Sequence, residues 1–598
     1  MPRRTDRRLL AAALPLTLLL AGCAAMPDSG DVSEVSAAER GDDQNLQVRV
    51  FPVHPLKGLD PQELLQNFLD ATIGDEAGYD TAKEYLTKEE AAQWRPEAGV
   101  SVLADNPRVR AGSIGKTQAR VTVEGTRVAV LDSNKTFKPS DSAFHAAFSF
   151  EKENGEWRIS QLPDGLIVNQ TNFRNVYERV NRYFYAAADP SRPSARPPAL
   201  VPDPIYLRRR IDPLTAAAKA LAAGPSRWLA PAVTSAFNGV TVLSRQVGPD
   251  DAGVVQVRVS ARGLSSRQED CRRMAVQLLR TFKDQSGNGV EQVDVSGPDG
   301  GGCQISGQEA GPFANQDMLG EIYYQDFDSG RLLMLGVDEV SGTPVAGPLG
   351  EASPQQPRAG AIAVRRDATL AAEVTLDGRE LREVGLSQGA KAGPVLVSSA
   401  GPKPQQALSL PSWDGNGDLW VADRDPAAPS VKMVRGDRAY PVYVEGLEGR
   451  TVQGLKLSSD GTRVALLLAD PAGVRTVAMG LVRHSGTETA PQAAITGLQP
   501  VAPQLVDVTA VSWADTDQLV VLGKEAEGVK HPQLVGVDGS RDEDTTLQAI
   551  DGMTRVAAAE DPHAPVYADS QDHKIYRLEL NGQWRAVARN AIAPVYPG

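Results

Sequence analysis

Residues 412–423 read SWDGNGDLWVAD, and this pattern of strand, turn and strand determines the fold of the C-terminal part of the chain. Two short apolar runs separated by an aspartate-led turn are typical of a β-hairpin. Four further segments have the same pattern: AVRRDATLAAEV (363–374), LSSDGTRVALLL (457–468), SWADTDQLVVLG (512–523) and AAEDPHAPVYAD (558–569). The pattern therefore indicates a repeated structural unit.

The spacing of the repeat identifies its architecture. The five aspartates are 47, 46, 55 and 46 residues apart, and DFDSGRLLMLGV at 326–337 places Asp328 another 39 residues upstream. A period of about 40 to 50 residues with four short strands per unit is typical of a β-propeller. We predict a propeller over 318–598 with about six blades, or seven if one blade is poor in strand residues. The repeated aspartates, which are Asp367, Asp414, Asp460, Asp515 and Asp561, are expected to stabilise their own turns.

The segment 46–170 predicts a smaller α+β domain. PQELLQNFLDAT at 61–72 places its apolar residues on one helical stripe, and YDTAKEYLTKEEAAQW at 79–94 predicts a second helix that buries Ala82, Tyr85, Leu86 and Ala92. Strand-like runs follow at 117–125, 126–133 and 143–160, and Asn154-Gly155 predicts a tight hairpin. Helices followed by a curled antiparallel sheet resemble the cone-shaped α+β domain of the nuclear-transport-factor-2 (NTF2) type. Its aromatic residues, with core as the expected role, are Phe144, Phe148, Phe150 and Trp157.

The segment 176–310 predicts a second α+β domain. It begins with strands, followed by a helix that starts at Asp212-Pro213. Further strand-like runs come next, including GVTVLSRQV at 239–247, and a late helix follows at 267–284. The pieces YFY (183–185), LVP (200–202), ALAAGPS (220–226) and VDVSG (293–297) resemble the sporulation and germination domain GerMN. The resemblance implies a GerMN-like fold for this segment.

The N-terminus carries an export signal. A basic head with Arg3 and Arg4 precedes an apolar run of 12 residues, which is too short to cross a bilayer of about 30 Å. LLLAGCAAMPDSG at 18–30 resembles the lipobox of bacterial lipoproteins. That resemblance implies cleavage between Gly22 and Cys23, with an S-diacylglycerol and an N-acyl group on Cys23. We therefore predict a signal peptide at 1–22, a flexible linker at 23–45, and a protein anchored by lipid to the extracytoplasmic face of the cell membrane.

Composition restricts the function further. The chain has a net charge of −13, and removing residues 1–22, with their four arginines and one aspartate, makes it more acidic. Such a charge argues against nucleic acid as a partner. Beyond Cys23 only Cys271 and Cys303 remain, and in an oxidising compartment two such thiols on one domain form a disulfide more often than a metal site. We expect this pair to be bridged, with free thiols as the alternative.

No sequence motif predicts catalysis. Asp414, Asn416 and Asp418 have the spacing of a calcium loop, but Leu419 replaces the required glycine and Asp425 replaces the closing glutamate. SIGKTQ at 113–118 lacks the first glycine of a phosphate loop. The propeller tryptophans, Trp413, Trp420 and Trp513, recur at blade positions, which favours burial over stacking on sugars. We expect no catalytic residues, no metal and no cofactor.

The order of the segments completes the interpretation. A lipobox, an NTF2-like domain that ends in GEWRISQLPDGLIV (155–168), a GerMN-like domain and a propeller with PSWDGNGDLWVADR (411–424) resemble the actinobacterial lipoprotein family LpqB. The resemblance implies a non-enzymatic accessory of the MtrA/MtrB two-component system, with the ectodomain of an MtrB-type sensor kinase as partner and a role in cell division and envelope homeostasis. The alternative is a cell-wall protein that binds or cleaves envelope glycan.

Overall fold

The computed structural model describes residues 52–192, 197–286, 289–313, 320–336, 341–351, 358–541 and 547–598. The predicted signal peptide (1–22), the linker (23–45), Gly22 and Cys23 lie outside these residues. Within them, no helix combines the length and the apolar character needed to span a membrane.

The first domain is a curled sheet with helices at its N-terminal side. Its strand order is β5-β4-β3-β1-β6, with β2 also paired to β3 and with β1 and β6 parallel. Asn154 and Gly155 have φ angles of 53° and 86° and form the predicted tight hairpin. The elements are α1 Pro61–Thr72, α2 Asp80–Lys83, α3 Lys88–Gln93, β1 Val100–Leu103, β2 Arg108–Ile114, β3 Gln118–Leu131, β4 Phe137–Glu153, β5 Glu156–Gln161, β6 Leu166–Asn169 and α4 Gln170–Val176.

The single helix predicted over 79–94 is wrong. The chain leaves the helix between α2 and α3, where Ile159 donates its backbone N–H to Tyr85 and accepts a hydrogen bond from Thr87, both at 2.9 Å. The Thr87 side chain then accepts a hydrogen bond from the Glu90 N–H and caps α3. Ala92, predicted to be buried, is exposed on this short helix. The pairing with β5 therefore outweighs the helical pattern of the sequence.

The second domain packs two helices on two small sheets. The sheet orders are β8-β7-β9 and β10-β11-β12, and the apolar face of the long helix α6 lies in the core between them. The run at 239–247 forms no named strand and makes only an isolated bridge from Val242 to Val259. The elements are β7 Tyr177–Ala186, β8 Leu200–Arg208, α5 Pro213–Ala222, β9 Val233–Thr234, β10 Val254–Arg258, α6 Gln268–Ser286, β11 Gln292–Ser296, β12 Gly302–Ser306 and α7 Gly307–Ala310.

The C-terminal domain is a propeller, and its described strands form six blades. The strands are β13 Ile322–Asp326, β14 Leu332–Leu335, β15 Thr343–Pro344, β16 Ala361–Val364, β17 Leu370–Val374, β18 Glu380–Gly385, β19 Ala392–Ser398, β20 Ser412–Trp413, β21 Leu419–Asp423, β22 Ser430–Arg435, β23 Arg438–Val444, β24 Thr451–Leu457, β25 Arg463–Ala469, β26 Arg475–Thr487, β27 Ala490–Pro500, β28 Ala510–Asp515, β29 Gln518–Gly523, β30 His531–Gly536, β31 Met553–Ala557, β32 Tyr567–Ser570, β33 Lys574–Leu578, β34 Trp584–Arg589 and β35 Ala591–Val595. Blades three and four join into one sheet through the parallel pair β23 and β27.

The ring closes by pairing the last strand with the first. Strand β35 lies antiparallel to β13, with Tyr323 opposite Val595 and Asp326 opposite Ala591. The inner strands β35, β16, β20, β24, β28 and β31 contact one another in sequence around a central channel. The first blade is therefore built from both ends of the propeller sequence.

This closure corrects the assignment of Asp328. The other five repeats form the turn between the first and second strands of a blade, whereas Asp328 lies between β13 and β14, the second and third strands of the first blade. In the first blade the first strand is β35 and the second is β13, so no continuous turn of this kind joins them. Asp328 consequently lies on the opposite face of the ring from the other five aspartates.

Candidate functional site

The repeated aspartates hold their own turns, as predicted. In four of them the carboxylate accepts the backbone N–H two residues later, with distances of 3.1 Å at Asp367, 2.8 Å at Asp414, 2.7 Å at Asp460 and 2.9 Å at Asp561. Asp515 accepts from the next residue at 2.6 Å instead. Their main role is therefore local, because each carboxylate satisfies backbone donors that would otherwise be unpaired.

The calcium-like loop is occupied by protein groups. The Asp414 carboxylate also accepts the Trp420 indole N–H at 3.0 Å, and burial together with the charge of Asp418 raises its pKa. The Asp425 carboxylate accepts the Ala427 N–H at 3.0 Å. In the described residues, no three histidine, cysteine, aspartate or glutamate side chains form a group that could hold a metal ion.

Asp418 instead joins the propeller to the second domain. Its buried carboxylate accepts two hydrogen bonds at 3.1 Å and one at 2.7 Å from Arg435, and it is also paired with Arg192 of the second domain. Arg435 in turn reaches back to the Asp189 carboxylate at 2.8 Å and the Ser191 hydroxyl at 2.9 Å. We call these five residues the first junction. Because opposite charges alternate across it, each charge has a partner in the other domain.

A buried histidine lies beside this junction. The ring of His484 packs edge-on against Trp420 with centroids 6.2 Å apart, and its Nδ1 atom lies 3.7 Å from the Asp189 carboxylate. Its side chain is 9% exposed, and neither ring nitrogen has a hydrogen-bond partner among the described residues. The imidazole therefore faces the acidic side of the first junction.

A second junction lies at the fifth blade. Arg179 of β7 contacts the Asp517 carboxylate at 2.5 Å and lies 3.7 Å from the Asp538 carboxylate. Asn181 also donates to Asp517, at 2.7 Å. Both propeller carboxylates are buried, each with a side chain only 5% exposed. The second junction, formed by these four residues, therefore depends on Arg179 for its positive charge.

Two further carboxyl groups near this junction have shifted pKa values. Burial and the charge of Asp517 raise the pKa of Asp515 to about 6. Burial also raises the pKa of Asp284, whose carboxylate accepts the Tyr183 hydroxyl at 2.8 Å. The junction thus concentrates negative charge where little solvent is present to screen it.

The first and second domains meet through aromatic rings. Phe173 stacks on Tyr177 at 5.0 Å and contacts Tyr206 at 5.3 Å, and Phe137 lies at the same distance from Tyr206. Arg208 lies over Tyr79 of the first domain, 5.2 Å from the ring centroid. The first domain is thus in contact with the second through aromatic and cation–π contacts.

A cavity of about 550 Å³ opens at the first junction. Its walls include the Arg365–Asp367 ion pair at 2.8 Å, the Asn416 turn and Glu488. The cavity carries charges of both signs, and most of its charged groups are already paired. It is therefore better suited to a polar contact between domains than to proton transfer, which requires a poised free acid or base.

The propeller tryptophans do not form a sugar platform. Trp413, Trp420 and Trp513 are 1%, 0% and 4% exposed and pack between blades. The stacking surface that a glycan-binding protein needs is therefore not formed by these three tryptophans.

The two cysteines of the second domain form the predicted disulfide. Cys271 lies on α6 and Cys303 on β12, with Cα atoms 6.0 Å apart.

Comparison with known proteins identifies the three segments separately. Residues 54–174 match the family described as the N-terminal domain of lipoprotein LpqB, 182–297 match the family described as sporulation and spore germination, and 330–597 match the lipoprotein LpqB β-propeller domain.

Relatives match along the whole chain. Lipoprotein LpqB of Streptomyces coelicolor is 36% identical, covering 100% of this chain and 98% of the relative. The protein of the same name from Streptomyces avermitilis is 36% identical, over 97% of this chain and 96% of the relative. That of Thermobifida fusca is 28% identical, over 98% and 97%.

Proposed function

The chain belongs to the LpqB lipoprotein family, and we propose that it is anchored through Cys23 to the extracytoplasmic face of the cell membrane, where it acts as a non-enzymatic accessory of an MtrB-type sensor kinase. The observation that carries the anchoring is the full-length match to relatives named lipoprotein, together with the lipobox at 20–23. The kinase contact is proposed from the resemblance to the LpqB family in the order of its domains. Two acyl chains on one cysteine are sufficient for stable anchoring.

The charged groups of the described domains support a non-enzymatic role. The acids that the propeller repeats bring together are held by turn amides or by arginines from the second domain. A carboxylate held in such a contact is already engaged, whereas a general acid or base must be free to exchange its proton during each turnover.

The anchor limits where a partner can be. A linker of 23 residues reaches at most about 80 Å when fully extended, so the protein stays close to the bilayer and meets other anchored proteins at a raised local concentration. We propose that residues 46–310 provide the kinase contact and that the propeller tunes affinity or receives a further signal.

Two observations support this division. The second domain covers part of the propeller face that carries the repeated turns, at Asp418 and Asp517. The first domain presents β2, whose residues are nearly all exposed and which ends at Ile114 with 56% of its surface accessible. Among the described strands β2 pairs only with β3, so its outer edge can accept an added strand from a protein partner.

The test uses the mature full-length chain and the purified ectodomain of the MtrB-type kinase from the same bacterium, with affinity measured by biolayer interferometry. We expect Ile114→Glu to weaken binding at least tenfold. The matched control is Tyr443→Glu, which replaces a propeller side chain that is 69% exposed. Loss of binding in the control alone would contradict the proposed division, and no binding by the unaltered chain would contradict the kinase proposal.

A further inference from the structure

The central channel of the propeller contains a second cavity, separate from the one at the first junction. Its volume is about 640 Å³, within the usual range for small-molecule sites. The loop at Leu376 and the connection at Pro404 and Gln405 line its mouth. These segments lie at the ends of the strands opposite the repeated turns, so the channel opens on the face away from the second domain.

The walls of the channel are largely apolar. The inner strands contribute aliphatic side chains and one indole ring from different blades, namely Ile362, Leu455, Val511, Trp513 and Val556. Such walls favour a ligand with an apolar body, because burying that body removes apolar surface from water.

The inner end of the channel is closed by an ion pair. Arg366 donates to the Glu560 carboxylate at 2.8 Å, and Glu560 accepts the Ser459 N–H at 2.8 Å. Arg366 lines both this cavity and the one at the first junction. The pair therefore lies between the two cavities.

Three further cations line the channel, and each is already engaged. Arg475 pairs with Asp507 at 2.9 Å, and Arg555 lies 3.8 Å from the Asp569 carboxylate. Arg424 donates to backbone carbonyls, including that of Leu408 at 2.8 Å. Each of these three arginines therefore already has a protein partner for its guanidinium group.

Lys456 on β24 is different. Its side chain is partly buried in the channel wall, and in the part of the chain that the structure describes its ammonium has neither a hydrogen-bond nor an ion-pair partner. Burial and the positive charge of Arg366 lower the pKa of Lys456 to about 8. No counter-ion lies beside this ammonium in the described channel, and an anion bound there would supply one through a charged hydrogen bond.

We propose that the propeller channel binds a small organic anion, with its apolar body between the inner strands and its carboxylate or phosphate group on the ammonium of Lys456. The site is independent of the proposed kinase contact, since it lies in a different domain and opens on the propeller face away from the second domain. A ligand there contacts several blades at once, and it binds only the closed ring.

Octanoate is the probe for the first test, because it joins a seven-carbon alkyl chain to a single carboxylate. We expect calorimetry on the mature chain to show one octanoate bound per protein and Lys456→Met to weaken that binding at least tenfold, as the loss of a charged hydrogen bond does. Lys456→Arg keeps the charge and should retain affinity within a few-fold. Octanol, which lacks the charge, should bind more weakly and be insensitive to Lys456→Met.

The matched control is Lys391→Met, which removes an exposed lysine from the same domain and should leave octanoate binding unchanged. A second readout needs no variant: octanoate should slow acetylation of Lys456, but not of Lys391, as followed by mass spectrometry. No octanoate binding up to its solubility limit, equal binding by wild type and Lys456→Met, or acetylation of Lys456 that octanoate does not slow would each overturn the proposal.

Discussion

Replacing Arg179 by methionine should loosen the second domain from the propeller. The substitution keeps most of the apolar stem but removes the guanidinium that lies 2.5 Å from Asp517 and 3.7 Å from Asp538. Both carboxylates are then left buried without their cation. Breaking a buried pair in this way costs about 3 to 5 kcal/mol. Since the Arg179 side chain is 25% exposed, solvent screens part of that loss, and we expect about 2 to 3 kcal/mol.

Hydrogen exchange measures this loss at the junction itself, which is preferable to a global unfolding midpoint in a multidomain chain. The Val537 N–H donates to the Asp517 carbonyl at 2.9 Å and reports on the turn that Arg179 holds. A loss of 2 to 3 kcal/mol should speed exchange in residues 515–541 about 30- to 160-fold, at 1.36 kcal/mol per factor of ten. The control Arg438→Met removes an exposed arginine and should have no effect.

A double-mutant cycle with Asp517→Asn separates the ion pair from packing effects. We expect Arg179→Met to cost less in the Asp517→Asn background, with a coupling free energy of at least about 1 kcal/mol. Exchange rates that change less than threefold in Arg179→Met, or a coupling free energy below about 0.5 kcal/mol, would refute this account of the second junction.

Three other predictions follow from single positions. Cys23→Ala should abolish fatty-acid labelling and block cleavage after Gly22, and labelled mutant protein would show that the lipid is elsewhere. Without reductant, Cys271 and Cys303 should resist alkylation, and replacing both by serine should lower the free energy of unfolding of the second domain by about 3 kcal/mol, as measured by urea denaturation. Asp515→Asn should stabilise the protein at pH 7 by up to about 3 kcal/mol, because the folded-state pKa of about 6 lies above the ordinary value of 3.8 and makes the charged form unfavourable when folded. That gain should shrink as the pH falls through 6 and vanish below about 3.8, and a melting temperature that rises equally at pH 4 and pH 7 would contradict it.

The repeats were readable from the sequence because their signal is local. An aspartate that accepts the N–H two residues later needs only its own turn, so Asp414 and Asp460 could be recognised without any knowledge of the fold. The same pattern gave a wrong prediction at Asp328. There β35, from the other end of the domain, supplies the first strand of the blade, so that β13 is its second strand and β14 its third. Ring closure is a contact across more than 250 residues, and no short window contains it.

The domain junctions could not be predicted, for a related reason. The sequences around Arg179 and Arg435 are typical of strands and turns, in which an arginine side chain is usually exposed to solvent. Their importance comes from carboxylates in another domain, and Lys456 is distinctive only because the described channel places no acid beside it. The division of the helix at Tyr85 likewise depends on its pairing with a distant strand. Long-range pairing outweighs local preference at each of these positions.

The pairing of β35 with β13 has a consequence for how the chain is made. Ribosomes finish at the C-terminus, so residues 322–326 are synthesised long before the strand that covers their open edge. Until residues 591–595 are available, that edge is an exposed template on which another chain could add a strand. The wall of the channel is unfinished for the same period, since it includes residues 593–598. A chain that lacks residues 591–595 therefore leaves this edge open, and a protease that attacks open strand edges distinguishes it from a chain whose ring is closed.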